Sequence, residues 1–500
     1  MYAAARNTRL TGGFGSGGNT SADAELNLGL TSMRSRARQM VRDSSYAKRA
    51  KSVLVGNVIG TGVGLQAQVS TNRAGLNDRV NTDIEEAFAA WAAADSCHTG
   101  GRMHLHDMER AAFGQVFEAG EVLIRMHYSR FGESKVPLAL ELIEAERLAH
   151  EVAPPGAVTA NTDVRMGVEV DQYQRPVAYW IRSIHPGDVR QRANAVDRYE
   201  RVPASDIFHL AIVDRWPQTR GEPWLHTALR KIDELNEYTG LEVSAARGSA
   251  AYFATITTPE SENPVTDDTE SDGKPVMDLE PLTIQELAPG EKLDFHAPNR
   301  PNAALDPFMR AMLREIAAGA GTSYESLSKD YSQSNYSSSR LALLDDRELF
   351  RSLQQWWIRS FRVRLHQRWL QQAVLAGAIP SISVASYATQ ADKFEAARFK
   401  PRGWSWIDPT KEVNAYKEAI KAGLTTLTDV VSATGGGQDF EEVCKTRRTE
   451  LDLLSQHGLL SDCTVVEALP TPAEVPPVED GEGDTTDGRG ARVVSIARTA

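Results

Sequence analysis

The sequence is poor in cysteine: Cys97, Cys444 and Cys463 are the only three in 500 residues. Three thiols cannot all pair and none stand in a CxxC spacing. That argues against a disulfide framework or a thiolate zinc site, and reduced thiols are expected. No run of 18 apolar residues occurs, so no segment reads as a helix able to span a bilayer, and no membrane partner is expected. The opening MYAAARNTRLTGGFGSGGNTS lacks the apolar core and cleavage pattern of a secretory signal, so the chain is expected to stay in a cytoplasm. Positive charge is short as well. The net charge is -12, opposite to the basic footprint of a protein that grips phosphates. A DNA partner would be held loosely.

Catalytic signatures are also missing. There is no GxSxG elbow, no GxxxxGK[ST] phosphate loop and no DxDxDG calcium loop. The glycines of GNVIGTGVG suggest a phosphate cradle, but a dinucleotide fingerprint needs a strand before them and a helix after, and here the order reads reversed. His98, His104, His106 and Asp107 lack the helical HExxH spacing, so they read as surface side chains and not as metal ligands. The serines at 332–339 have no histidine among them to act as a base. No enzyme activity, cofactor or metal is expected.

What is present is length, helix and one unusual loop. Five hundred residues exceed what a single core supports, so several packed regions are expected. Residues 1–31, rich in Gly, Ser, Asn and Thr, read as a disordered arm. Met33 to Val55 reads as one basic helix, followed by a glycine turn into a strand. A helix fits Asp83 to Ala94, with Phe88 and Trp91 on one face. From Gln115 to Leu210 the period shortens toward two: QVFEAGEVLIRMHY reads as a strand, MGVEVDQYQRPVAYWI as two strands about a turn, and DIFHLAI as another. Together these make an α+β unit over residues 32–222.

Long helices then dominate. Pro223 is placed to open a helix running to Tyr252. Its second half, SAARGSAA, is either an ordinary buried helix or a surface for tight packing against parallel helices. Pro259 to Glu280 holds eight acidic side chains against one lysine and reads as a solvated loop. LTIQELAPGEKLDF is strand-like, and a helix follows from Pro307 to Ala320. A long helix is expected from Ser339 to Ala376. Phe350, Leu353, Trp357, Phe361 and Leu365 form its apolar face, beside a stripe of Arg347, Arg351, Gln355, Arg359, Arg362 and His366 read as solvated or ion-paired. ISVASYA reads as a strand, and helices fit Lys411 to Ala422 and Phe440 to His457. Residues 461–500 read as a disordered acidic tail.

Between two helices lies Lys329 to Arg340, KDYSQSNYSSSR, with five serines, two tyrosines and no ionised side chain from Tyr331 to Ser339. Such a segment cannot build a core.

Three stretches resemble the lambda-like portal family of tailed bacteriophages: RSRARQMVRDSSYAKRAKSVLVGNVIGTGVG, RGEPWLHTALRKIDELNEY and LREIAAGAGTSYESLSKDYSQSNYSSSRLALLDDRELF. WIDPTKEVNAYKEAIKAGL adds a weaker match. The resemblance implies an α+β, mainly α, portal-type fold assembled as a twelve-subunit ring at one capsid vertex of the virion, built in the host cytoplasm. Double-stranded DNA would pass through it nonspecifically during packaging and ejection. The ring would nucleate capsid assembly with the major capsid or scaffold protein, and would dock the terminase large subunit and head-tail completion proteins. By element order the parts are a wing at 32–222, stem helices at 223–252 and 307–324, and a clip at 253–306. A tunnel loop at 325–340, a long kinked helix at 341–378, and a wing return and crown at 379–460 complete the set.

Lys329, Tyr331, Ser332, Gln333, Ser334, Asn335, Tyr336, Ser337, Ser338 and Arg340 would then line the DNA channel. Glu260, Glu262, Asp267, Asp268, Glu270 and Asp272 would dock the motor. Another head-tail connector or a scaffold with long helices is the competing reading. It leaves the uncharged loop between two helices without a purpose.

Overall fold

The computed structural model describes residues 19–71, 76–150, 162–188, 198–251, 254–257, 292–295, 304–404, 409–434 and 440–457. Order begins earlier than the expected arm through residue 31. The Ser21 hydroxyl accepts the Ala24 amide at 3.2 Å and caps α1 (Ala22–Asp43). Asp23 and Glu25 face the positive end of the helix dipole, and Leu26 and Leu30 are buried one turn apart. Ser44 is extended and divides the basic stretch, so α2 (Ser45–Val58) is a second helix where one was expected.

Gly60 and Gly62 then take positive φ and lead into β1 (Gly64–Ala67). The helix α3 (Asp78–Trp91) starts earlier than expected because Asn77 caps it, and it buries Phe88 and Trp91 with ring centroids 5.5 Å apart. Next come α4 (Ala94–Cys97) and α5 (Leu105–Ala119). The stretch expected as one strand from Gln115 is therefore half helix. Gly120, at φ 86°, makes the break, and a Cβ there would lie 2.4 Å from the Glu222 carbonyl carbon.

Residues 121–211 hold two antiparallel sheets. In the first, β2 (Glu121–His127) lies between β3 (Ala139–Ile143) and β8 (Ile207–Ala211), with Leu123 opposite both Ile143 and His209. The second is a meander of β4 (Thr162–Arg165), β5 (Val168–Asp171), β6 (Pro176–Arg182) and β7 (Tyr199–Pro203). Its middle hairpin is the one read from MGVEVDQYQRPVAYWI. Leu123, Ile143, Val168, Tyr179, Ile181 and Ile207 form one buried cluster joining the two sheets.

Glu121 fastens this region to its neighbours. It is fully buried and accepts hydrogen bonds from Arg34 of α1, from Arg220 Nε at 2.6 Å and from the Gly221 amide at 2.9 Å, while His209 Nε2 lies 2.8 Å away. Burial opposes its charge, but the Arg220 and Arg34 guanidinium groups hold the carboxyl well below its ordinary value.

Turns occupy 224–228, and α6 (Leu229–Ala251) begins after them, not at Pro223 as expected. Ser244 to Arg247 are exposed, so this half of α6 is not an ordinary buried helix within one chain. Of the expected clip, β9 (Ala254–Thr257) and β10 (Lys292–Phe295) form an antiparallel pair. Glu260, Glu262, Asp267, Asp268, Glu270 and Asp272 lie outside the described residues.

The helices α7 (Leu305–Ala320), α8 (Tyr324–Ser328), α9 (Tyr336–Trp357) and α10 (Val363–Leu375) follow, the last two joined by a π turn at Ile358–Arg362. A π turn carries an extra residue and rotates everything after it. Arg362 and His366, expected on the solvated stripe, are therefore buried beside Phe361 and Leu365.

The remainder of this unit is α11 (Val384–Thr389), α12 (Ala391–Phe394), β11 (Ala397–Lys400), α13 (Pro409–Lys421) and α14 (Leu427–Thr434). The segment read as a strand, ISVASYA, is largely α11, because the Ser383 hydroxyl caps it by accepting the Ser386 amide at 3.1 Å. β11 pairs antiparallel with β1, placing Lys400 opposite Gly64. α15 (Phe440–Gln456) belongs to a separate unit. The fold is helix-rich with small sheets. Among the described residues no helix is long and apolar enough to cross a membrane.

Candidate functional site

The uncharged loop stands on a fixed base. α7 closes at Gly321 with φ 66°, and Trp224 Nε1 donates to the Ala320 carbonyl at 2.9 Å. Asp346 of α9 is 5% exposed. Its Oδ1 accepts the Ser323 amide at 2.7 Å, and its Oδ2 accepts the Ser323 and Ser326 hydroxyls, each at 2.7 Å. Arg49 of α2 donates to the Ser326 carbonyl at 3.0 Å. α8 is thus held from both sides before the loop begins.

Lys329 then leaves α8 in the left-handed conformation, φ 62°, with its side chain exposed. Asp330 folds the next residues back. It accepts the Ser332 amide at 3.0 Å and the Tyr324 hydroxyl at 2.7 Å, and Arg310 Nε lies 3.6 Å away. Hydrogen bonds from Ser332 first, and then from Tyr324, hold its carboxyl down to about 2. The Ser334 amide and hydroxyl both donate to the Tyr331 carbonyl at 3.2 Å.

The tip is polar and open. Ser332, Gln333, Asn335, Ser337 and Ser338 are exposed, Ser334 is half-buried, and Tyr331 and Tyr336 are more than half exposed. Tyr336, Ser337, Ser338 and Arg340 are not loop residues as expected, but the first turns of α9. The cause is Asn335. Its Oδ1 accepts the Ser338 amide at 2.8 Å while the Ser338 hydroxyl accepts the Asn335 amide at 3.1 Å, a reciprocal cap. Arg340 lies 3.8 Å from Glu412 of α13, so its charge is partly answered within the chain. Lys329 is left as the exposed cation of the loop. Asp346 and Arg310, which shape the segment, were not singled out from sequence; an Asp inside a helix, here next to Asp345, gives no local signal that it caps another helix.

The candidate metal residues have local partners. His98 Nδ1 accepts the Arg102 amide at 3.2 Å, His104 Nδ1 accepts the His106 amide at 3.2 Å, and His106 Nδ1 lies 3.0 Å from Glu109. Glu144, Glu146 and His185 cluster closely enough to suggest a cation. Arg38 already donates to both carboxylates, at 3.2 and 2.9 Å. His185 Nδ1 accepts the Gly187 amide at 3.0 Å, which leaves its proton on Nε2, facing Glu144 at 3.3 Å, where a metal would need a bare nitrogen. Cys97 is buried and its thiol is pushed up to about 12 by desolvation, and Cys444 is a free thiol too.

Phage portal protein, lambda family, is the family whose pattern matches the chain, over residues 8–354. The chain belongs to that family. A probable portal protein of Halomonas phage phiHAP-1 is 29% identical over 436 residues, covering 86% of this chain and 81% of its own. Portal protein B of Escherichia phage lambda is 22% identical over 490 residues, covering 86% and 87%. Among solved structures, the neck of a native gene transfer agent particle aligns with TM-score 0.40 and 12% identity over 84% of this chain and 95% of that one. The portal-family match takes in α7, α8, the polar loop and most of α9, so the segment that carried the resemblance lies inside it.

Proposed function

We propose that this portal-family chain assembles as a twelve-subunit ring at one capsid vertex, and that the loop from Lys329 to Asn335, with the first turns of α9, faces DNA passing through the centre. One observation carries the reading: an exposed hydroxyl- and amide-lined tip stands on a base clamped by Asp346. Moving DNA calls for contacts that are many, weak and indifferent to sequence. Each Lys or Arg paired to phosphate adds salt-dependent affinity, which would brake translocation. Ser332, Gln333, Ser334, Asn335, Ser337 and Ser338 can touch the backbone without that grip, Tyr331 and Tyr336 supply bulk, and Lys329 and Arg340 contribute charge at the edges. The chain's net charge of -12 repels phosphate and keeps the duplex near the axis.

The energy would come from a separate terminase docked through Glu260, Glu262, Asp267, Asp268, Glu270 and Asp272; neutralising these six should abolish motor binding, and unchanged binding eliminates the assignment. Docking of head-tail completion proteins, contact with the capsid or scaffold protein and assembly in the host cytoplasm belong to the same proposal. The test of the loop is deletion of Tyr331 to Ser338. Procapsids should still form while DNA packaging or retention fails, and normally filled heads refute the channel assignment.

A further inference from the structure

Two cavities adjoin beside β8, with Arg364 of α10 as their shared wall. The first, about 280 Å3, is lined by Ser205, Phe208, Arg364, Gln367, Arg368 and Gln371, with Glu395 at one side. The second, about 580 Å3, is flanked by Tyr173, Val213 and Trp216, which are 70%, 48% and 71% exposed. On α10, Arg364, Gln367, Arg368 and Gln371 fall at i, i+3, i+4 and i+7 and all four are exposed, forming one outward stripe.

The arginines on that stripe are unusual in having nothing to bind. Arg364 rests over the Phe208 ring at 5.1 Å, yet neither it nor Arg368 has a hydrogen bond or carboxylate partner among the described residues. The carboxylate of the first cavity, Glu395, accepts the Tyr387 hydroxyl at 2.7 Å. The Ser205 hydroxyl already donates to Asp206 Oδ1 at 2.9 Å, so the donors the cavity presents are two guanidinium forks and two amides. A guanidinium fork is matched best by a carboxylate or a phosphate, which can take two parallel hydrogen bonds. The second cavity asks for something different. An exposed tryptophan and tyrosine around an open groove mark a place for apolar side chains, and large exposed aromatics are enriched where partners bind.

We infer that this groove receives an acidic polypeptide segment, with an apolar side chain seated beside Trp216 and Tyr173 and carboxylates on Arg364 and Arg368. Charge complementarity selects the acidic partner: the second cavity sets Arg175 and Arg364 beside Trp216, Tyr173 and Val213, and this pairing of cation with apolar surface suits a polypeptide that carries carboxylates around an apolar side chain. The inference does not depend on the channel assignment, since none of these residues belongs to the loop.

The test titrates the full-length chain with a short labelled peptide of glutamates around a central phenylalanine, and with its glutamine counterpart. The glutamate peptide should bind and shift tryptophan emission to the blue, a shift lost in W216F. Arg364→Gln with Arg368→Gln should weaken it about tenfold or more, and Tyr173→Ala several-fold. Both arginines are exposed, so the variants should keep the helical circular dichroism of the parent. Absence of binding at millimolar peptide, equal binding of the glutamine peptide, or unchanged affinity in the double variant overturns the inference. So does a DNA duplex that displaces the peptide and loses its own affinity in the same variant, which would make the site one for nucleic acid.

Discussion

Asp346→Ala should release the base of the polar loop while leaving the rest of the chain folded. The side chain is 5% exposed and accepts the Ser323 amide and two serine hydroxyls. The hydroxyls can turn elsewhere: released from Asp346, the Ser323 hydroxyl has Ser326 Oγ within reach at 2.9 Å. The amide cannot move, and a stranded buried donor costs roughly 2 kcal/mol; with about 0.5 kcal/mol for each hydroxyl, the loss is about 3 kcal/mol. If that energy opposes local opening, amide exchange across residues 321–329 should quicken by ~100-fold. Hydrogen–deuterium exchange followed by mass spectrometry reads this directly. Asp346→Asn keeps an acceptor for the Ser323 amide and should fall between the parent and the alanine variant. Exchange altered by less than about threefold in Asp346→Ala, or greater in the asparagine variant, refutes the clamp.

Three further outcomes follow from buried or capping groups. His366, buried near Arg362, Trp369 and Phe399, is held down to about 4, chiefly by desolvation and then by Arg362. The unfolded histidine takes its proton below about 6.5, so stability is full above that pH and falls as pH drops toward 4, by about 3 kcal/mol in all; His366→Phe should flatten that part of a stability–pH profile, and an unaltered slope speaks against it. Glu121→Gln leaves Arg34 and Arg220 buried without a counter-charge and should cost roughly 3–5 kcal/mol, read as a lowered denaturation midpoint; a midpoint equal to the parent's is the contrary result. Asn335→Ala removes the reciprocal cap and should cost about 1 kcal/mol, quickening exchange of the Ser338 amide about fivefold, while Asn335→Asp preserves protection.

How much of this was legible from residues alone depended on how local the cause was. The β5–β6 hairpin was readable because alternation in MGVEVDQYQRPVAYWI and its turn residues sit side by side. The first half of α1 was missed although Ser21, Asp23 and Glu25 spell a helix start, since the surrounding glycines and serines outweighed them. The segment ISVASYA alternates, yet Ser383 makes it helical; six residues are too few for period to decide. The polar loop was found by its composition. Its true end at Asn335 needed the cap, and its anchorage needed Asp346, whose partners lie more than a helical turn away in sequence. The inward turn of Arg362 and His366 came from a π turn that no 3.6-residue wheel anticipates.

The convergence on Glu121 has a mechanical meaning. α1, the strand β8 and the segment at Arg220 and Gly221 that leads toward α6 each reach the same two oxygens, so Gly221 is tied to the sheet through short links and is not a free hinge. A Cβ at Gly221 would sit 2.1 Å from the Gly120 carbonyl oxygen, which leaves that joint no slack.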